Sequence, residues 1–120
     1  MRIAEMLVTP IAVGDPPLRN AAGLHAPYAL RTIVELISDD GISGISEIPG
    51  SDATTKALQE AIDVVVGQDP YALTGLERSL RDSFGEDARD RRGLQPWDQR
   101  LLVHMFSALE VACLDLVGKA

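Results

Sequence analysis

The sequence predicts an α+β fold in one domain spanning 1–120, a three-stranded antiparallel meander followed by a helical part. Three observations carry that expectation. Two runs rich in β-branched and large apolar residues, 2–13 and 28–38, each stop at a cluster of turn formers. An Asp40-Gly41 step then precedes a third such run, "ISGISEI". Finally, the apolar spacing changes after Pro49-Gly50 from the period of a strand to that of a helix.

The elements follow in chain order. "RIAEMLVTPIAV" reads as the first strand and ends at the breaker Gly14-Asp15-Pro16-Pro17. A long connection to Pro27 leads into the second strand, "YALRTIVELIS". Connections of that length in a compact domain are usually functional or disordered, and this one lacks the repetitive charge of disorder. Asp40-Gly41 makes a hairpin into the third strand, since glycine accepts the positive φ of a tight turn. Alternation is imperfect in all three strands, so both faces of the sheet are expected to be partly covered.

Ser51 or Asp52 can cap a helix carrying Ala57, Leu58, Ala61, Ile62 and Val65 on one face, ended by Gly67. Asp69-Pro70 is read as the start of a second helix, with Leu73, Leu76, Leu80 and Phe84 as its stripe and Gly85 at its close. After the polar stretch "EDARDRRGLQP" the last helix, 97–119, is apolar around much of its circumference. Such a helix needs partners on more than one side, so a second subunit or a further domain is expected against it.

Composition narrows the function. A chain of 120 residues with 46% hydrophobic and 24% charged residues is ordinary for a globular domain. Its net charge of −7 argues against nucleic acid or an anionic membrane as partner. The single cysteine, Cys113, reads as a buried small hydrophobe, and the absence of a possible internal disulfide fits a reducing cytoplasm. No signal peptide is evident at the N-terminus, and no apolar run is read as long enough to span a bilayer.

The chain carries no complete active site by residue pattern. Glycine-rich phosphate loops, zinc spacing and a nucleophile elbow are all lacking. Asp39, Asp40, Glu86 and Asp87 read as solvated turn and loop carboxylates, and "DARDRR" as a salt-bridged loop. His104 reads as a packing residue of the last helix. His25 differs, because Ala22, Gly23 and Ala26 surround it with little bulk and leave the imidazole prominent in the long connection.

Several stretches resemble a known family. The order of elements and the run "ALEVACLDLVGKA" resemble the N-terminal capping domain of the enolase superfamily, in its mandelate racemase and muconate lactonizing enzyme groups. "NAAGLHAPYALRTIVEL", "GISEIPG", "VVVGQDP" and "RRGLQPWDQRLLVHMFSALEVACLDL" are similar to the glucarate dehydratase branch, and the similarity covers essentially the whole chain.

The resemblance implies a division into 1–96, the meander and helices, and 97–120, a helix bridging to a (β/α)8 barrel that lies outside this chain. It implies that the long connection folds over the barrel mouth, with His25 and Asn20 contacting an acid sugar. Gly23, Leu24, Ile48, Pro49, Gln95 and Pro96 fall in the specificity loops it implies. Two positions depart from the family. Pro96 stands where a substrate-contacting threonine is usual, which opens the way to an acid sugar other than glucarate. Ser46 stands where glycine is common, read as a local backbone adjustment.

The implied reaction is Mg²⁺-dependent dehydration of an acid sugar, with the metal and every catalytic group in the barrel. This chain alone is therefore expected to be inactive. Two alternatives remain, an enzyme for another acid sugar and a free-standing non-catalytic domain that forms a homo-oligomer through the last helix.

Overall fold

The computed structural model describes residues 1–14, 19–20, 23–24, 28–85 and 100–120. Strand β1 (Ile3–Gly14) pairs antiparallel with β4 (Tyr28–Ser38), and β4 pairs antiparallel with β5 (Ser43–Pro49). The sheet order is β1-β4-β5, the expected meander. Between β1 and β4, the short strands β2 (Arg19–Asn20) and β3 (Gly23–Leu24) pair with each other, a feature the sequence reading did not separate. Gly41 takes φ +83 in the β4–β5 turn, the left-handed conformation that made Asp-Gly a turn signal. Ser38, Asp39 and Asp40 finish that turn. The Ser38 hydroxyl donates to Asp40, and Asp39 accepts the Arg2 backbone N–H at 3.0 Å.

The alternation in β5 is strict. Gly44, Ser46 and Ile48 are buried while Ser43 is partly covered and Ile45, Glu47 and Pro49 are exposed. On β4 the buried set is Thr32, Val34, Leu36 and Ser38. One face alone therefore meets the helices. The opposite face keeps Leu7, Ile11, Val13 and Ile45 open among the described residues, while Ile33 and Ile37 of the central strand are half-buried there. The imperfect alternation reflects apolar residues left on the outer face.

Helix α1 (Asp52–Glu60) begins as expected, with the Ser51 hydroxyl oxygen accepting the Thr54 N–H at 3.1 Å. The single helix expected through Val65 is divided at Ala61, after which α2 (Ile62–Val65) continues for one turn. Gly67, at φ +90, then leaves α2 and its N–H donates to the Ile3 carbonyl at 2.8 Å, tying the helix end to β1. Helix α3 (Leu73–Phe84) starts three residues later than the Pro70 reading. The Asp69 carboxylate accepts the Tyr71 N–H at 2.9 Å and shapes a turn there, while Pro70 is fully buried instead of opening a helix.

Helix α4 (Arg100–Lys119) lies along β5 and over β4. Leu102, Met105, Ala108, Leu109, Ala112, Cys113 and Leu116 are buried, and with Val34, Leu36, Leu58, Leu76 and Leu80 they make the core. Each Val, Leu and Met side chain among them contributes about 1.5–3 kcal/mol on burial. By length and composition Leu101–Lys119 is long and apolar enough to cross a membrane, which corrects the reading that no such run exists. Here its buried face covers the sheet. Val103, Val111 and Leu114 remain exposed on its other side, as the width of the apolar surface led us to expect.

The contact between α4 and β5 is close and polar at its margins. A Cβ at Gly44 would stand 2.1 Å from the Ala112 carbonyl oxygen, so only glycine admits the helix here. The buried Ser46 hydroxyl donates to the Ala108 carbonyl at 2.6 Å. Beyond the strand, the Ile45 N–H donates to Asp115 Oδ2 at 2.9 Å, and Lys119 Nζ donates to the Ser43 carbonyl at 3.0 Å. Ser46 is thus a packing and hydrogen-bonding residue, which replaces its reading as a backbone adjustment.

Candidate functional site

One end of the sheet gathers the segments singled out by sequence. The β1–β4 ladder closes at Gly14 and Tyr28, so the connection 15–27 springs from there. The β4–β5 ladder closes at Arg31 and Pro49. Tyr28 lies three residues beyond Arg31 on β4, about 10 Å along the strand. Helix α4 runs opposite to β5, with Lys119 beside Ser43 and Ala108 beside Ser46. Its first turn therefore points toward the Pro49 end. The bases of all three segments, 15–27, 48–50 and the residues before Arg100, face the same way.

Of the residues expected to meet substrate, Asn20 is placed by its backbone in β2, opposite Gly23 in β3, with Leu24 opposite Arg19. His25, Gln95 and Pro96 lie outside the described residues, as do Glu86, Asp87 and "DARDRR". Ile48 is buried on the helix-facing side of β5, and Pro49 is exposed at its end. Pro49 belongs to the set Ser43, Ile45 and Glu47, whose backbone faces away from β4. Its missing N–H therefore falls on the free side of an edge strand, where it removes no ladder bond.

Two residues not selected from sequence complete this end. Arg31 Nε donates to Glu47 Oε1 across the outer face of β4 and β5. Their side chains are 31% and 49% exposed, so the pair is a solvent-screened ion pair. Just beyond, the Gly50 N–H donates to the Leu30 carbonyl at 2.8 Å. A Cβ at Gly50 would lie 2.8 Å from the Arg31 carbonyl carbon, so the chain passes Arg31 at a separation only glycine allows. The signal was available in the alternation, which sets Arg31 and Glu47 on one face with opposite charge.

Elsewhere, a shallow groove of about 200 Å³ lies among α1, α3 and α4, bordered by Lys56, Ala57, Glu60, Leu101 and Met105. Its charged rim is a Lys56–Glu60 pair at 3.9 Å, exposed to solvent. His104 is exposed, which corrects its reading as a packing residue. Cys113 is buried, and desolvation pushes its thiol up to about 11, a form with little nucleophilic character. Among the described residues no three His, Cys, Asp or Glu side chains converge as metal ligands, so these residues do not build a magnesium site.

No family model matches the chain. A Streptomyces coelicolor protein described as a probable glucarate dehydratase is 38% identical over 128 residues, taking in 100% of this chain and 30% of that protein. Among solved structures, an enolase from Thermobispora bispora, complexed with magnesium and formate, matches with a TM-score of 0.87 and 43% identity. That match covers 99% of this chain and 29% of the other. An enolase from Pseudomonas fluorescens, with bound magnesium, potassium and tartrate, gives 0.85 and 33%, over 98% of this chain and 29% of its own. The chain thus spans 29–30% of the length of these relatives.

Proposed function

The chain belongs to the enolase superfamily as its N-terminal capping domain, and on that premise we propose that it selects the substrate of an acid-sugar dehydratase. The observation that carries this reading is the match of the entire chain, at 38% identity, to a probable glucarate dehydratase. The reaction is loss of water: the proton α to a carboxylate is abstracted and the β-hydroxyl departs. The magnesium site and the acid–base groups are assigned to the part of the protein beyond this chain.

The role left to these residues is binding and enclosure. His25 offers an imidazole, and Asn20 an amide, to hydroxyl and carboxylate groups of the sugar. Pro49, exposed at the end of β5 with Ile48 held in the core beneath it, offers an apolar margin, and Gln95 and Pro96 are assigned contacts of their own with the sugar. Proline offers no hydroxyl at 96, so a substrate that differs from glucarate near that position fits the reading as well as glucarate. Excluding water from such a site strengthens every electrostatic interaction inside it.

The test is a graft. This chain replaces the matching 30% of the Streptomyces coelicolor relative, and the product is assayed with magnesium against glucarate and other acid sugars. Turnover of one or more is expected. A folded, monodisperse graft that turns over none of them overturns the proposal.

A second reading draws on one feature. Val103, Val111 and Leu114, at 59%, 47% and 55% exposure, leave a wide apolar surface on α4. In the enzyme a barrel domain covers it; in a free-standing domain a second copy would. Sedimentation of the chain alone separates these, since a concentration-dependent dimer with no acid-sugar activity in the graft favours the second.

A further inference from the structure

We infer that Arg31 and Glu47 form a positioning pair that sets the geometry of the Ile48–Pro49–Gly50 margin of the substrate site; the inference rests on the acid-sugar reading above. Arg31 is the one basic residue in β1, β4 and β5, and its guanidinium is spent on Glu47. The pair is diagonal, for Arg31 sits opposite Pro49 while Glu47 sits opposite Ile33. It therefore ties the last turn of the pleat on β5 to the point on β4 that the departing chain must pass.

Three attachments hold that departure. The first is the Gly50 N–H bond to Leu30, the second is the contact of Gly50 with the Arg31 backbone, and the third is the ion pair. The first two belong to the backbone and survive any side-chain change. The ion pair alone can be removed without altering the fold. Ile48 is anchored on the opposite face, buried against the helices. Only Gly50 and the helix-capping Ser51 separate Pro49 from α1, so little chain remains to absorb a shift. A displaced margin then reads out directly on the bound sugar, where an error of about 1 Å in placement can lower rates up to a hundredfold.

The surface position of the pair makes this separable from stability. Exposed ion pairs contribute little to folding, so loss of the pair should move Tm by no more than about 3 °C. The experiment compares the barrel-joined protein with Glu47→Gln, Arg31→Met, the double variant, and Arg31→Lys. Hydrogen exchange of the peptide spanning 47–50 is measured beside steady-state kinetics. Expected are faster exchange confined to that peptide and a fall in kcat/KM of about three- to tenfold, mainly through KM. The double variant should be no worse than the poorer single one, and Arg31→Lys should recover part of the loss.

Unchanged kinetics, or additive losses in the double variant, overturn the pairing. A large Tm drop with unaltered KM makes the pair a stabiliser of the sheet and also overturns it. An unaltered protein inactive on every acid sugar overturns the functional reading itself, and this inference with it.

Discussion

Gly44 and Ala112 touch backbone to backbone: a single added carbon on the glycine would lie 2.1 Å from the alanine carbonyl oxygen and 2.5 Å from the Leu116 nitrogen. Neither neighbour is a flexible side-chain tip, so α4 would have to lift from β5. Gly44→Ala is expected to destabilise the protein by about 3 kcal/mol or more, at or above the usual range for overpacking. Urea unfolding monitored by circular dichroism checks this. A loss below about 1 kcal/mol would mean that the helix shifts freely and the contact is not a fixed one.

Ser46 lies one step along the same face. Ser46→Ala removes the bond to the Ala108 carbonyl but leaves that oxygen within the helix ladder, so a loss of about 1 kcal/mol is expected. Ser46→Gly should lose about 0.5–1 kcal/mol more, from the added freedom of the unfolded backbone. Equal stability of all three forms would mean that the hydroxyl contributes nothing and only the small size of the residue matters.

Acid should loosen the C-terminal half of α4. The hydrogen bond from Lys119, and then the Ile45 N–H, hold the Asp115 carboxyl below the usual aspartate value. A depressed carboxylate stabilises the folded state above its unfolded pKa, and that contribution disappears as pH falls through the folded value. Tm should therefore decline below about pH 4, and Asp115→Asn should shrink the decline while lowering Tm at neutral pH. Parallel melting curves from pH 6 to pH 2.5 for both proteins make the comparison; identical acid slopes would remove Asp115 as a source.

His25 is expected to act on substrate and not on stability. His25→Ala in the barrel-joined protein should lower kcat/KM roughly ten- to more than a hundredfold, the equivalent of about 1.5–3 kcal/mol for a hydrogen bond to a charged group. The melting temperature should hold. Normal kinetics accompanied by a large fall in Tm would assign His25 to the fold.

What the sequence made legible was governed by local chemistry. Asp40-Gly41 and Ser51 did what their types dictate, because a positive φ and an orphan helix N–H are problems solved within a few residues. The division of the first helix at Ala61 and the late start of α3 were not legible. Both go with packing against distant neighbours, since Ala61 and Pro70 are each taken fully into the core. Ser46 was misread for a related reason, since its partner Ala108 is 62 residues away. His104 was misread because an apolar helix need not be buried on every side. Asn20 and His25 were selected by resemblance; alternation puts Arg31 and Glu47 on one face, and the register, which sets them diagonally across β4 and β5, is what pairs them.

The pair at the end of α4 has a further consequence for the outer margin of β5. A strand with free N–H and C=O groups along its side is a template on which another chain can build. Here the carboxylate of Asp115 already occupies the Ile45 N–H, the ammonium of Lys119 occupies the Ser43 carbonyl, and Pro49 offers no N–H at all. An incoming strand would have to expel both side chains to pair along Ser43–Ile45, and would meet a proline at the other end. Edge-to-edge growth is thereby opposed at both ends of β5, and protonating Asp115 is the step that would begin to release one of them.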